Sequence, residues 1–274
     1  QNPSTGDIVF NNGASGVIEV VWGLLQLDAF GTMAGGVFLV SPGGTLNLAG
    51  INQTWTGTFT GSGGGTVIHQ SGVITAGDGG VTLDFAPGMF RIDGDPDFSG
   101  SSFTNINSLS IVGGHANLNA TLNNPGTITQ SGGQVDFFQG TPTLNNSGLY
   151  LVTFSGDQNF LGNFSNAEAF NNSGILRRDG TGSASTANVT FNNAATGAIE
   201  VVNGTLRLDS GGEMLGATFD VAAGATLNLA GINQTWTGTF VGTGGGIISH
   251  NSGTISAGPG GAVLDFAEGL FQID

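Results

Sequence analysis

The chain has 274 residues, of which 51 are glycine, 19 are Asp or Glu, four are Lys or Arg and none is cysteine, and its formal net charge at pH 7 is −15. Charged residues make up only 8% of the total, too few to cover the outer faces of soluble helices, which speaks against a helical protein. The acidic charge speaks against nucleic acid and anionic membranes as partners, and the lack of cysteine excludes disulfides and thiolate metal sites.

Short segments in which apolar and polar residues alternate run along the whole chain and predict β-strands. In chain order, clear examples lie at 17–21, 44–48, 81–85 and 225–229. They are bounded by Gly-Gly, Pro-Gly, Asn-Gly or Ser-Gly pairs, in which glycine reverses the chain at low cost because it tolerates positive φ. No apolar run approaches the roughly 18 residues of a membrane span, so we predict no membrane insertion.

A long internal repeat covers both ends of the chain. Residues 10–93 match residues 191–274 without a gap at an offset of 181 positions, and TLNLAGINQTWTGTF at 45–59 recurs unchanged at 226–240. The match extends back to Ser4 and Ser185, which gives copies at 4–93 and 185–274 with 94–184 between them. We interpret residues 1–274 as one continuous repeat domain and expect it to be a fragment of a longer array.

A shorter repeat lies inside the long one. An apolar residue followed by Asn-Asn occurs at Phe10, Leu122, Leu144, Phe170 and Phe191, and the last four sites are about 21 to 26 residues apart, which is typical of one turn of a β-solenoid. If the offset spans eight turns, the chain forms about 12 turns of roughly 20–26 residues. The sequence thus predicts an all-β, right-handed parallel β-helix in which asparagines stack in hydrogen-bonded ladders. A two-sheet sandwich is the alternative.

Two segments of the sequence resemble repeats of known proteins. VAAGATLNLAG at 221–231 and FNNSGIL at 170–176 resemble the repeats of bacterial autotransporter passengers and haemagglutinin-like surface proteins. Those families are right-handed parallel β-helices that act as adhesins, biofilm components or stalks. The resemblance implies a secreted or cell-surface location and transfers no catalytic residue, since such passengers carry function in appended domains or insertions.

The ends of a solenoid expose unpaired strand edges, which must be capped, continued by more chain or matched to a neighbour. No polar cap is evident at either end of the sequence. We therefore predict a structural repeat segment of an extracellular fibre, stalk or adhesin, which stacks end to end with neighbouring solenoid units, and not an enzyme. The alternative is a carbohydrate-binding or polysaccharide-cleaving β-helix protein.

Candidate residues for the carbohydrate alternative are few. Trp55 and Trp236 lie in the repeated segment NQTWT and either stack on sugar rings or pack at a corner of the coil. Arg177-Arg178-Asp179-Gly180 is the one concentrated basic stretch, and it is either a site for an acidic sugar or a solvated turn. His69 and His250 are 181 positions apart, which predicts the same face of the coil and a separation too large for one site.

A single acidic motif suggests a metal. Asp93, Asp95 and Asp97 occupy alternate positions in DGDPD, as carboxylates do at the start of a calcium loop. Phe98 stands where such a loop has glycine, and the Glu at the twelfth position is missing. The segment is therefore either a calcium site or an acidic exposed turn, and no other cofactor is predicted.

Overall fold

The computed structural model describes residues 8–163, 168–187 and 189–273, so residues 4–7, Asn188 and Asp274 of the two predicted copies lie outside the described residues. The described chain contains 26 β-strands, and its fold is all-β without helices, as predicted. No helix of this part of the chain is long and apolar enough to cross a membrane.

The strands are short where corners interrupt them and longer where pairing continues around a corner. The first nine are β1 (Val17–Val20), β2 (Gly23–Gln26), β3 (Phe30–Met33), β4 (Gly36–Val40), β5 (Gly44–Asn47), β6 (Ile51–Ser62), β7 (Thr66–Phe85), β8 (Phe90–Asn105) and β9 (Ser108–Asn124). The next nine are β10 (Thr127–Gln130), β11 (Gln134–Phe137), β12 (Thr143–Asn146), β13 (Leu149–Val152), β14 (Gln158–Asn159), β15 (Leu161–Asn163), β16 (Ala169–Asn172), β17 (Ile175–Ser185) and β18 (Thr190–Asn193). The last eight are β19 (Ala198–Arg207), β20 (Gly212–Met214), β21 (Ala217–Val221), β22 (Thr226–Asn228), β23 (Ile232–Thr243), β24 (Ile247–His250), β25 (Gly253–Phe266) and β26 (Phe271–Ile273).

The strands pair in parallel and stack into three ladders, which we call faces 1, 2 and 3 in the order in which the chain visits them on each turn. Face 1 starts with β1 paired to β4, face 2 with β2 paired to β5, and face 3 with β3 paired to β6. The result is a parallel β-solenoid of about 11 turns, close to the predicted 12. The parallel pairing rules out the antiparallel sandwich. With about 4.8 Å between stacked strands, the coil is a rod roughly 50 Å long.

Side chains that point inward from successive turns form one continuous apolar core. Leu122, Leu144, Phe170 and Phe191 stand directly above one another on face 1 and are buried. The rings of Phe170 and Phe191 stack with centroids 5.6 Å apart. Because each turn buries a similar set of aliphatic and aromatic side chains, at roughly 25 cal/mol per Å² of apolar area, stabilisation accumulates turn by turn.

Glycine closes the corners where backbone passes over backbone. Gly63 has a φ of 111°, and a Cβ there would lie 2.5 Å from the carbonyl oxygen of Val40. Gly244, its equivalent in the second copy, has a φ of 99°, and a Cβ would lie 2.1 Å from the carbonyl oxygen of Val221. Only glycine fits both the left-handed conformation and the close approach.

The two copies make the same pairings on different faces. Trp55 lies on face 3 between Met33 and Ala76, whereas Trp236 lies on face 1 between Met214 and Ala257. The 181-residue offset therefore spans eight turns and one further face, so the second copy is rotated by about 120° about the rod axis.

This rotation corrects the prediction for two of the histidines. His69 pairs with Ile92 on face 2, whereas His250 pairs with Ile273 on face 3. The prediction that the two histidines share a face is wrong, because a turn averages roughly 22 residues rather than the 23 that would make eight whole turns.

Candidate functional site

A ladder of buried amides runs inside the coil. It has one asparagine on each of five successive turns of face 1, all fully or almost fully buried: Asn105, Asn124, Asn146, Asn172 and Asn193. Each of the first four donates from Nδ2 to Oδ1 of the next at 2.7 to 2.8 Å. The same Nδ2 groups also donate to backbone carbonyl oxygens of the turn above. Apart from Oδ1 of Asn105, which is buried without a partner, the linked amide groups satisfy one another within a dry interior and fix the register of the turns.

A second amide ladder runs along the outside of the same strands. Asn145 donates from Nδ2 to Oδ1 of Asn123 at 2.9 Å, Asn171 to Asn145 at 2.8 Å, and Asn192 to Asn171 at 2.9 Å. The backbone N–H of Glu213 ends the ladder by donating to Asn192. The predicted stacking is therefore confirmed for the four Asn-Asn pairs between 123 and 193, with one residue of each pair inside and the other outside, as strand alternation requires. The pair after Phe10 is not part of either ladder: Asn11 accepts from Thr32 and Asn12 donates to the carbonyl oxygen of Gly35.

A buried Tyr–Gln contact lies next to the inner ladder and was not predicted. Tyr150 donates from its hydroxyl to Oε1 of Gln130 at 2.7 Å. Gln130 in turn donates from Nε2 to the carbonyl oxygens of Gly133 at 2.8 Å and Phe160 at 3.0 Å. Burial raises the pKa of Tyr150 far above its ordinary value, so the phenol stays neutral and acts as a structural donor.

The basic stretch at 177–180 is divided between the two sides of its strand. Arg177 points outward and donates from Nε to Glu200 at 2.5 Å. Arg178 is fully buried, donates to the carbonyl oxygens of Phe154 at 2.8 Å and Thr181 at 2.7 Å, and holds its guanidinium 4.7 Å from the centre of the Phe154 ring. Burial lowers the pKa of Arg178. Arg178 therefore belongs neither to a solvated turn nor to an accessible sugar site.

The two repeated tryptophans lie in the core. Trp55 and Trp236 are both 0% exposed and stack on Phe59 and Phe240 with ring centroids 4.2 and 4.3 Å apart. Each indole Nε1 donates to the glutamine two residues earlier. Neither of these two indoles has a face open to a sugar ring, which corrects the glycan-stacking prediction for both residues and agrees with the packing alternative.

The three aspartates of the proposed calcium loop lie on strand β8. Asp93 and Asp95 are exposed and Asp97 is half-buried, and Asp95 accepts the backbone N–H of His115 at 2.9 Å. Alternate side chains of an extended strand are roughly 6–7 Å apart, whereas calcium ligands converge to about 2.4 Å from the ion. Among the described residues, no three His, Asp or Glu side chains are grouped to hold a metal ion. This placement agrees with the second of the two alternatives, an acidic exposed turn, and not with a calcium site.

An Asp–His pair spans two neighbouring turns of face 3. Nδ1 of His115 lies 2.7 Å from Oδ2 of Asp136, and Asp136 also accepts a hydrogen bond from Nε2 of Gln134 at 2.8 Å. The aspartate is almost fully buried and the imidazole is half exposed. Sequence reasoning missed this pair, because 21 residues separate its members and only the register of the coil brings them together. The carboxylate fixes the orientation of the ring.

His69 is a buried histidine whose protonation should make the stability of the fold depend on pH. It is fully buried, its ring lies edge-on to Phe98 with centroids 5.1 Å apart, and neither ring nitrogen has a hydrogen-bond partner. Burial lowers its pKa to about 3, so the folded protein holds His69 neutral.

Acid is expected to destabilise the coil through His69. Below pH 6.5 the unfolded chain binds a proton that the folded chain does not take up until about pH 3, so the stability present above pH 6.5 is lost as the pH falls toward 3. At pH 4 the free energy of unfolding should be about 3 kcal/mol lower than at pH 7.5. Urea unfolding at both pH values checks this: between them, the free energy of unfolding of His69→Leu should fall by less than that of the wild type. Equal losses in the two chains would contradict the assignment.

The interior contains little free space. A cavity of about 20 Å³ lies between inward-pointing side chains such as Leu83, Phe98 and Leu118. Its lining is apolar, so it has no partners to hold a water molecule and no room for a ligand.

Comparison of the chain with protein-family models, with curated proteins and with solved structures finds no match. What bears on function is therefore the geometry of the coil: its amide ladders and its closed core.

Proposed function

We propose that this chain is a structural repeat segment of an extracellular or cell-surface fibre, stalk or adhesin, and that its units stack end to end. The observation that carries the proposal is the continuity of the inner amide ladder and the apolar core along one axis. In such a rod the buried polar groups hold successive turns in register. This suits a stiff, elongated support better than a pocket that encloses a substrate.

The two ends of the coil support axial stacking. At the N-terminal end Val9, Val17 and Trp22 are 70%, 54% and 83% exposed, and at the C-terminal end Leu264 and Ile273 are 49% and 73% exposed. Among the described residues, β1 pairs only with β4 and β26 only with β24, so one edge of each of these strands is unpaired. Apolar surface next to free strand edges favours contact with another coil.

The net charge of the rod favours contact through its ends over contact between its sides. The formal net charge of −15 gives long-range repulsion between rods that approach side by side. The same net charge also opposes approach of the ends, over a smaller facing area. Because salt screens charge repulsion over about 10 Å at 0.1 M, end-to-end association should strengthen as the ionic strength rises. The cell-surface location within this proposal is supported by the resemblance of the repeats to those of surface proteins.

End-to-end assembly is expected at moderate salt and should depend on the apolar end. Electron microscopy and sedimentation velocity of the purified chain at about 0.05 and 0.5 M NaCl should show rods in multiples of roughly 50 Å, with longer rods at the higher salt. Leu264→Lys together with Ile273→Lys should reduce the rods to single units. Val202→Lys, which adds the same charge to an exposed valine on the side of the rod, should leave assembly unchanged.

Two outcomes would contradict the proposal. One is a monomer at every salt concentration, and the other is equal loss of assembly in the end variant and the side variant. The residues on which the carbohydrate alternative depended are not accessible to a sugar, since Trp55, Trp236 and Arg178 are buried and Arg177 is paired with Glu200.

A further inference from the structure

An open depression of about 290 Å³ lies beside the outer amide ladder, where the strands of face 1 end. One wall is the ladder itself, in which Asn145, Asn171 and Asn192 stand above one another in the register of β12, β16 and β18, about 4.8 Å apart. Ala194 and Leu215 add apolar side chains to the lining. The volume is close to the lower limit of small-molecule sites, roughly 300 Å³, so the depression has room for a short segment of a chain-like ligand.

The outer ladder has hydrogen-bonding capacity that the inner ladder lacks. A side-chain amide has two N–H groups and an oxygen with two lone pairs. Asn171 donates one N–H to Asn145 and accepts one from Asn192, so one N–H and one lone pair remain. The same holds for Asn145 and Asn192, and these three amides have no further hydrogen bond among the described residues. In the inner ladder Asn146 uses both of its N–H groups.

The charges around the depression favour a neutral ligand. The outward side chains of β12, β16 and β18 are Thr143, Asn145, Ala169, Asn171, Thr190 and Asn192. Among the described residues that line the depression, Glu213 is the one charged side chain. The formal net charge of −15 repels anionic ligands, and a cationic amine has no acceptor for the free N–H groups. A neutral hydroxyl group both donates and accepts, so it matches an amide that keeps one donor and one acceptor.

The first copy of the long repeat lacks these features and provides an internal comparison. Asn11 is the first-copy equivalent of the last asparagine in the ladder. Its Oδ1 accepts both the backbone N–H and the hydroxyl of Thr32, so no lone pair is left. Thr32 and Ala34 also stand at the positions that Glu213 and Leu215 occupy in the second copy. The first copy therefore offers neither the free acceptor nor the carboxylate and the leucine.

We propose that this depression, which we call the amide groove, binds neutral saccharide chains. The free N–H and carbonyl groups of Asn145, Asn171 and Asn192 exchange hydrogen bonds with sugar hydroxyls. The Glu213 carboxylate accepts from a further hydroxyl, and Leu215, which is 50% exposed, packs against the C–H groups of a sugar ring. The proposal goes beyond the fibre role and does not rest on it, because the groove lies on the side of the rod.

Titration of the isotope-labelled 274-residue chain with small saccharides tests the groove. The neutral probes are maltohexaose, cellohexaose and N-acetylchitohexaose, the acidic probe is hexagalacturonate, and the cationic probe is spermidine. We expect at least one neutral probe to bind with a Kd of about 1 mM or tighter. Binding should shift the side-chain amide signals of Asn145, Asn171 and Asn192 in nuclear magnetic resonance spectra, whereas those of the buried Asn146 and Asn172 should stay in place. The two charged probes should not bind.

Two variants locate the binding in the groove. Glu213→Thr together with Leu215→Ala gives the groove the side chains of the first copy and should weaken binding about 10-fold or more. Ala194→Phe fills the groove and should abolish binding. As a control, Asp78→Thr together with Val202→Ala makes similar changes at exposed positions outside the groove and should leave the Kd unchanged. Urea unfolding midpoints close to that of the wild type show that a loss of binding is not a loss of folding.

The inference is overturned if no neutral probe binds, if a charged probe binds as tightly as the neutral ones, or if both groove variants bind like the control. Assembly into rods is a separate readout. A chain that binds saccharide but forms no rods supports the groove and counts against the end-to-end function. Rods that form from a chain without saccharide binding would sink this inference and leave the proposed function standing.

Discussion

Replacing Asn146 with alanine is expected to lower the free energy of unfolding by about 4 kcal/mol, because it breaks the inner amide ladder at its middle. Asn146 donates to Asn172 at 2.8 Å and to the carbonyl oxygen of Ile175 at 2.9 Å, and accepts from Asn124 at 2.7 Å. The substitution leaves three buried polar groups short of a partner. Urea unfolding followed by circular dichroism measures the loss.

The neighbouring residue provides a matched control. Asn145 makes the same ladder contact on the outer side of the strand, where it is half-buried, so Asn145→Ala should cost about 1 kcal/mol or less. Asn146→Leu separates lost hydrogen bonds from lost volume: it fills the space and should still cost about 3 kcal/mol. Equal losses at positions 145 and 146, or full recovery with leucine, would contradict the role given to the inner ladder.

Replacing Trp55 with alanine is expected to lower the free energy of unfolding by about 4 kcal/mol, as large-to-small changes of buried aromatic residues do. Trp55 is fully buried, stacks on Phe59 and meets the edge of Phe38 with centroids 6.0 Å apart. Trp22 is 83% exposed, so Trp22→Ala should change stability by less than about 0.5 kcal/mol. The same urea titrations compare the two variants.

The result for Trp55 also bears on its discarded role in sugar binding. If Trp55→Ala left stability unchanged and altered binding to a glycan, the indole would have to lie at the surface, and the packing described for it would be wrong. Loss of stability without any change in glycan binding agrees with its place in the core.

The coil and its ladders were predictable because they depend on spacing. The apolar-Asn-Asn sites recur once per turn, and a residue repeated once per turn stands above its predecessor. The burial of Trp55 was also within reach of the sequence, since it shares inward parity with Ile51 and Gln53 along an alternating segment. Of the two alternatives that the sequence leaves open for Trp55, stacking on a sugar ring or packing in the coil, the structure agrees with packing.

Other features cannot be predicted from the spacing of residues along the sequence. Arg178 has the same parity as the buried Leu176, but its burial requires the carbonyl oxygens of a corner 24 residues earlier in the chain, such as that of Phe154. The one-face rotation of the second copy is a sum of many unequal corner lengths, and a small error in the length of each turn moves the total by a whole face.

The distance between two spin labels on one face tests the central claim most directly. Thr58 and Thr235 both point outward on face 1, eight steps apart along its ladder. With cysteines at these two positions, pulsed electron resonance should give a narrow distribution centred at about 38 Å, which is eight spacings of about 4.8 Å. A centre below about 25 Å would place the two residues in facing layers instead of along one axis and would contradict a single continuous coil.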